Sequence, residues 1–246
     1  MSELAEQALW RISAFENLRQ SATAASRSES QRQTILATTL QAELRLLDRR
    51  RDSADALEVV AACVRLREPA LIYLQCEESV WPVTLFPAQM LYHSPRSLLL
   101  GAPRALGTLK TLEVEPPCVR PPGHWMYERV AQADTYHPLM PALWKLALQG
   151  PRKGLLHEVA GPAAYRALRN PATQEMPTPG ALGPAVERLR KESVSLRKIT
   201  SWPGMSEERA CRLINALYLT SNLIVSRAHH SARPGMWQWL LGQRGG

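Results

Sequence analysis

The sequence predicts an α+β protein, with N-terminal helices and a small antiparallel sheet followed by a C-terminal helical domain ending in a winged helix. Three observations predict this class. Apolar residues recur at intervals of three and four in several stretches, the spacing of one helix face. Short β-rich runs cluster between residues 71 and 116. The last sixty or so residues follow the order helix, helix, turn, helix, strand. With 45% hydrophobic and 21% charged residues among 246, the chain has ordinary globular usage. At that length roughly 70 to 75% of the unfolded surface can be buried.

Leu4, Ala8, Ile12, Phe15 and Leu18 predict a first helix, and Leu36, Leu40, Leu44 and Leu47 a second, separated by the Ser/Ala-rich break QSATAASRSESQ. These stripes suit packing on the chain's own core. They also offer a homodimer contact, although they are too short for a sustained coiled coil. SADALEVVAACVRL predicts a third helix capped by Ser53. LIYLQC and VWPVTLF, separated by Glu77, Glu78 and Ser79, predict a hairpin whose second strand Pro82 and Pro87 push toward an edge. QMLYHS and TLEVE are further strands, with PRALGTLK a short helix or turn between them.

EPPCVRPPGHW, with four prolines and a glycine, reads as an extended, semi-rigid connection. It sets the expected boundary between domains 1–120 and 121–246. HPLMPALWKLALQG predicts a helix with Pro141 near its first turn and Gly150 at its end. GLLHEVAGPAAYRALR reads as two short helical pieces, and NPATQEMPTPGALGP as a second loop. AVERLRKES and SLRKITSWPGM are helices, the latter turning at Pro203 and Gly204. Ser206 caps a third helix with the buried stripe Ala210, Leu213, Ile214 and Leu217. LIVSR and MWQWLL then pair as a wing, which completes a winged helix over about residues 185–246.

The stretch SVSLRKITSWPGMSEERACRLINALYLTSNLIVSR resembles the terminal winged-helix-like repeat of PATAN modules from bacterial signalling proteins. Leu196, Ile199, Arg209, Leu213, Leu217, Tyr218 and Leu223 to Val225 stand at the matching positions. The resemblance covers about the last sixty residues. It implies a regulatory protein of a bacterial signalling system that works by protein contacts, with a small GTPase or other signalling switch as partner. No receiver-type phosphoacceptor pattern accompanies it.

Thirty basic against 22 acidic residues give a net charge of +8, a balance compatible with nucleic acid, an anionic surface or an acidic partner. Arg49, Arg50 and Arg51, between Asp48 and Asp52, read as a solvated helix end. The helix from Ser206 carries Glu207 and Glu208 in its first turn, where they suit the helix dipole and repel phosphate. Protein contact is therefore expected over DNA reading. The expected partner-binding residues are Arg209, Arg212 and Asn215 on the exposed face of this helix, together with Trp237 and Trp239, whose spacing puts both rings on one strand face. A winged-helix DNA-binding transcriptional regulator is the alternative.

Named chemistries find no frame. Cys63, Cys76, Cys118 and Cys211 lack CxxC spacing and read as reduced core thiols, not zinc ligands. GAPRALGTLK lacks the GxxxxGK[ST] pattern of a phosphate loop, HEVAG lacks the second histidine of a zinc protease helix, and no GxSxG elbow occurs. The adjacent His229 and His230 point to opposite faces of a strand. A non-catalytic protein without a cofactor is expected; an enzyme would have to draw on scattered groups such as Glu77, Glu78, His93 and His124. Trp81, Trp125, Trp144 and Trp202 are expected in cores. The N-terminus does not read as a signal peptide, and no apolar run approaches the ~18 residues that span a bilayer, so a cytoplasmic location is expected.

Overall fold

The computed structural model describes residues 9–25, 35–100, 103–174 and 176–227. They form a mixed α and β fold with two antiparallel sheets. Contacts divide the chain into two units, Met1–Ala142 with Gln149–Pro151, and Leu143–Leu148 with Arg152–Gly246. The proline-rich connection at 115–125 lies inside the first of these.

The first unit is built around β2 (Ala70–Cys76) and β3 (Ser79–Phe86). They pair antiparallel from Ala70 opposite Leu85 to Cys76 opposite Ser79, which is the hairpin the sequence predicts. Glu77 turns the corner with a φ of 54°. β5 (Lys110–Glu115) joins the outer side of β2, while β4 (Leu91–His93) and β6 (Tyr136–Pro138) continue the sheet beyond β3. β3 is thus an interior strand, which corrects the edge position expected from its prolines. The reason is a gap: β1 (Trp10–Arg11) pairs with Val80 and Ser79, and β4 begins at Thr84. Pro82 falls between them, where its missing N–H leaves no ladder bond unmade. Pro87 lies past the strand and opens a 3₁₀ turn.

Three helices accompany this sheet. α1 (Ile12–Ala25) starts directly after β1, so of the helix expected from Leu4 the described part begins at Ile12 and runs through part of the predicted Ser/Ala break, while Leu4 and Ala8 lie outside the described residues. Trp10, Phe15 and Tyr73 form an aromatic cluster with centroids 4.9 to 6.0 Å apart, and Arg19 pairs with Glu113 on β5 at 2.9 Å. α2 (Thr38–Arg50) buries Leu40 and Leu47, as the stripe predicts, and packs beside α3 (Ala56–Leu66). α3 is buried from Ala56 through Cys63. Its cap is Asp55 instead of Ser53: the Asp55 carboxylate accepts from the backbone N–H groups of Leu57 (2.9 Å) and Glu58 (3.3 Å). The short α4 (Pro103–Leu106) precedes β5.

The proline-rich connection is laced to its surroundings. Arg120 N–H donates to Arg129 O at 2.9 Å, and the Tyr136 hydroxyl donates to Arg120 O while accepting from Ala131 N–H. Trp125, expected in a core, is 79% exposed. The other three tryptophans assigned to cores, Trp81, Trp144 and Trp202, are buried. Of the four thiols only Cys63 and Cys211 are core residues; Cys76 is half-buried and Cys118 exposed.

α5 (Leu139–Gln149) follows β6 directly. In the second unit, β7 (Ala164–Ala167) is the central strand, flanked by β8 (Val194–Ser195) and β9 (Leu223–Ser226), both antiparallel to it. The stretch expected to give two helical pieces therefore supplies a turn and a strand. α6 (Leu182–Lys191), α7 (Leu196–Thr200) and α8 (Glu207–Leu219) complete the unit, and α6 packs against β7. The expected order of helices, turn and exit strand is present. The partner expected for the exit strand, MWQWLL, lies outside the described residues, and β9 pairs instead with β7, upstream of all three helices.

Candidate functional site

The C-terminal module carries the predicted contact residues, and its geometry begins at the turn before α8. Pro203 and Gly204 stand at the two central positions of a turn closed by Met205 N–H donating to Trp202 O at 3.1 Å. Gly204 has a φ of +74°, and a β-carbon there would come within 2.9 Å of Ala181 Cβ. A proline followed by a glycine at positive φ is the sequence of a type II turn. Ser206 then caps α8, its hydroxyl accepting from Arg209 N–H at 3.2 Å. Ala210, Leu213, Ile214 and Leu217 are all buried, as the stripe predicts.

The predicted contact residues divide sharply. Arg209 is exposed, but its guanidinium is turned back to donate to Gly204 O. Arg212 donates to Leu148 O and pairs with Glu208 at 3.0 Å, leaving its side chain only 17% exposed. Asn215 corrects the expectation of an exposed face: it is fully buried, accepting from Leu156 N–H and donating to Gly154 O, each at 2.9 Å. Trp237 and Trp239 lie outside the described residues. The helix thus binds its own chain with the side chains that were expected to face a partner.

The open face of the three-stranded sheet presents a different surface. Tyr165 and Ala167 are buried beneath it, the Tyr165 hydroxyl donating to Val159 O at 2.6 Å, and burial pushes that phenol up to about 12. Arg166 and Leu168 alternate to the other face. There Arg166 stands opposite Ile224 of β9. Leu168 and Ile224 remain 52% and 44% exposed. With the C-terminal half of α6 they line a groove of about 460 Å³, to which Glu187, Arg190 and Lys191 contribute. Arg190 pairs with Glu187 at 3.0 Å, and Asn170 Nδ2 donates to the same carboxylate at 2.8 Å.

No family model, curated protein or solved structure matches the chain. The site is therefore read from its own chemistry.

The polar groups named for a hypothetical enzyme stay apart. Glu77 and Glu78 are exposed at the β2–β3 corner. His93 pairs with Thr84, five residues along β3 from Ser79, or roughly 17 Å at ~3.4 Å per residue. His124 accepts from Met126 N–H in the loop before β6. Among the described residues no group of three or more His, Cys, Asp or Glu side chains is placed to hold a metal ion, and no helix is long and apolar enough to cross a membrane.

Sequence reasoning missed the groove because its members are dispersed along the chain. A signal was present in LIVSR, a strand whose apolar residues lack polar alternation. The β7–β9 register, which joins Arg166 to Ile224, has no local sequence mark.

Proposed function

We propose that the chain is a non-catalytic regulatory or adaptor protein of a bacterial signalling system, acting through protein contacts made by its C-terminal winged-helix-like module. The observation that carries this reading is the engagement of α8's polar side chains by the chain itself. A helix that reads DNA offers free cations and amides to phosphates and base edges. Here Arg209 and Arg212 are turned onto backbone carbonyls and Asn215 is buried. Glu207 and Glu208 occupy the first turn. Among the described residues, Leu168 and Ile224 remain about half exposed together on the module's sheet, apolar surface that a protein partner would cover.

The second reading is a DNA-binding regulator, favoured by the net charge of +8 and by the helix, turn, helix order. Fluorescence anisotropy with a mixed-sequence duplex at low and at physiological salt separates the two. The adaptor reading expects no binding, or weak binding that salt abolishes, because attachment through a few scattered phosphate contacts is weak from the start and falls further with salt. Tight binding that survives physiological salt overturns it in favour of DNA reading.

A further inference from the structure

Resting on the reading that the module works by protein contact, we propose that the groove between α6 and the open face of β7 and β9 receives an acidic, apolar peptide segment of a protein partner. Its floor is Leu168 and Ile224, two aliphatic side chains about half exposed on a sheet whose opposite face is buried. An edge strand with every residue at least partly exposed is a surface that folded proteins ordinarily blunt or cover, and none of Leu223 to Ser226 is buried. Among the described residues β9 has a strand neighbour only in β7.

The walls select charge. Arg166, Arg190 and Lys191 face a single carboxylate, Glu187, which Arg190 and Asn170 already engage. Arg166 and Lys191 have no ion-pair partner among the described residues. A segment that sets an aliphatic or aromatic side chain on Leu168 and Ile224 and a carboxylate beside Arg166 and Lys191 answers both features. Nucleic acid answers them less well. Among the described residues lining the groove there is no aromatic side chain on which a base would stack. The sequence after Arg227 offers these cations no acidic side chain, since residues 228–246 contain no Asp or Glu.

The test begins by panning a displayed library of random short peptides on the immobilised full chain. Anisotropy of an enriched, labelled peptide then compares the parent with Arg166→Glu and Ile224→Asp, both at exposed positions, and thermal melts check that each variant is folded. The expected result is enrichment of peptides in which Asp or Glu accompanies aliphatic or aromatic residues, with affinity falling by roughly tenfold or more in each variant. Three results overturn the proposal: no enrichment, as when a second copy fills the groove; enriched peptides without acidic residues; or binding that both variants leave unchanged. In the last case a peptide surface lies elsewhere, so the groove assignment falls while the adaptor reading stands. Duplex DNA binding that survives physiological salt and is lost in Arg166→Glu overturns both.

Discussion

Asn215 holds Leu156 by its backbone: Leu156 N–H donates to the Asn215 side-chain oxygen at 2.9 Å, in a site where both residues are fully buried. The same side chain donates to Gly154 O. One amide thus satisfies a donor and an acceptor of the loop before β7. Replacing Asn215 with Ala strands the buried N–H and removes the partner of the carbonyl, and a buried unsatisfied group costs about 1–3 kcal/mol. The expected loss is about 2–4 kcal/mol in urea unfolding. Asn215→Asp should also destabilise, because a carboxylate can still accept from Leu156 but faces Gly154 O without a proton to give. A wild-type midpoint in either variant would show that this amide does not order the loop.

Three helices end in the same closure, each with a non-glycine residue in the left-handed conformation. Arg51, Arg67 and Ser221 have φ of 63°, 56° and 55°. Each donates its N–H three residues back into the end of its helix, to Asp48, Val64 and Tyr218 O, while Asp52, Glu68 and Asn222 donate five residues back, to Leu47, Cys63 and Leu217 O. This pattern of bonds is the Schellman motif, whose left-handed position favours glycine. For an L-residue that conformation costs roughly 1–2 kcal/mol, part of which glycine's greater unfolded entropy offsets. Ser221→Gly and Arg51→Gly should each raise stability by about 0.5–1 kcal/mol. The double variant should give nearly the sum, since no shared partner links the two sites. Destabilisation by either glycine would mean that the replaced side chain contributes more than its backbone strain.

Much of the fold was legible where one element's own residues decide it. α8 was readable from Ser206 and the stripe Ala210 to Leu217, and the β2–β3 hairpin from its two β-rich runs around Glu77 and Glu78. The failures share a cause. β7 is made of Ala164, Tyr165, Arg166 and Ala167, residues with little strand preference apart from the tyrosine, and becomes a strand because β8 and β9 bond to it on both sides. Pro82 sits in an interior strand because β1 and β4 leave a gap there. Asn215 looked like an exposed polar residue on a helix face, but its position on that face is covered by the loop at Gly154 and Leu156. In each case a distant segment decided the outcome, and the candidate groove is the same kind of feature.

The four cysteines should separate by reactivity. Cys63 is fully buried on α3, and burial pushes its thiol up to about 12, with the nearby Glu68 carboxylate adding to the effect. Thiolate is the reacting form, so Cys63 should resist an aromatic disulfide reagent in the folded protein. Cys118 is exposed and should react first. Titration of the native chain is expected to show one fast thiol, removed by Cys118→Ser, and four only in denaturant. Fast labelling of Cys63 would mean that α3 opens readily.

His93 should make the first unit sensitive to mild acid. Burial, and then the charge of His137, hold its imidazole below its ordinary value of 6.5. Its ring lies 5.2 Å from that of Tyr136, while His137 lies 5.1 Å from Tyr92 on the paired strand. When the folded-state value is lower than the unfolded one, the unfolded chain binds more protons between the two, so stability rises with pH across that window. The contribution is therefore complete above about pH 6.5 and is lost as pH falls through the folded value. His93→Gln keeps a polar side chain but removes this titration. Urea midpoints of the parent should drop on going from neutral pH into the range below 6.5, and the variant's should drop less. Parallel pH profiles for parent and variant would assign the acid sensitivity to other groups.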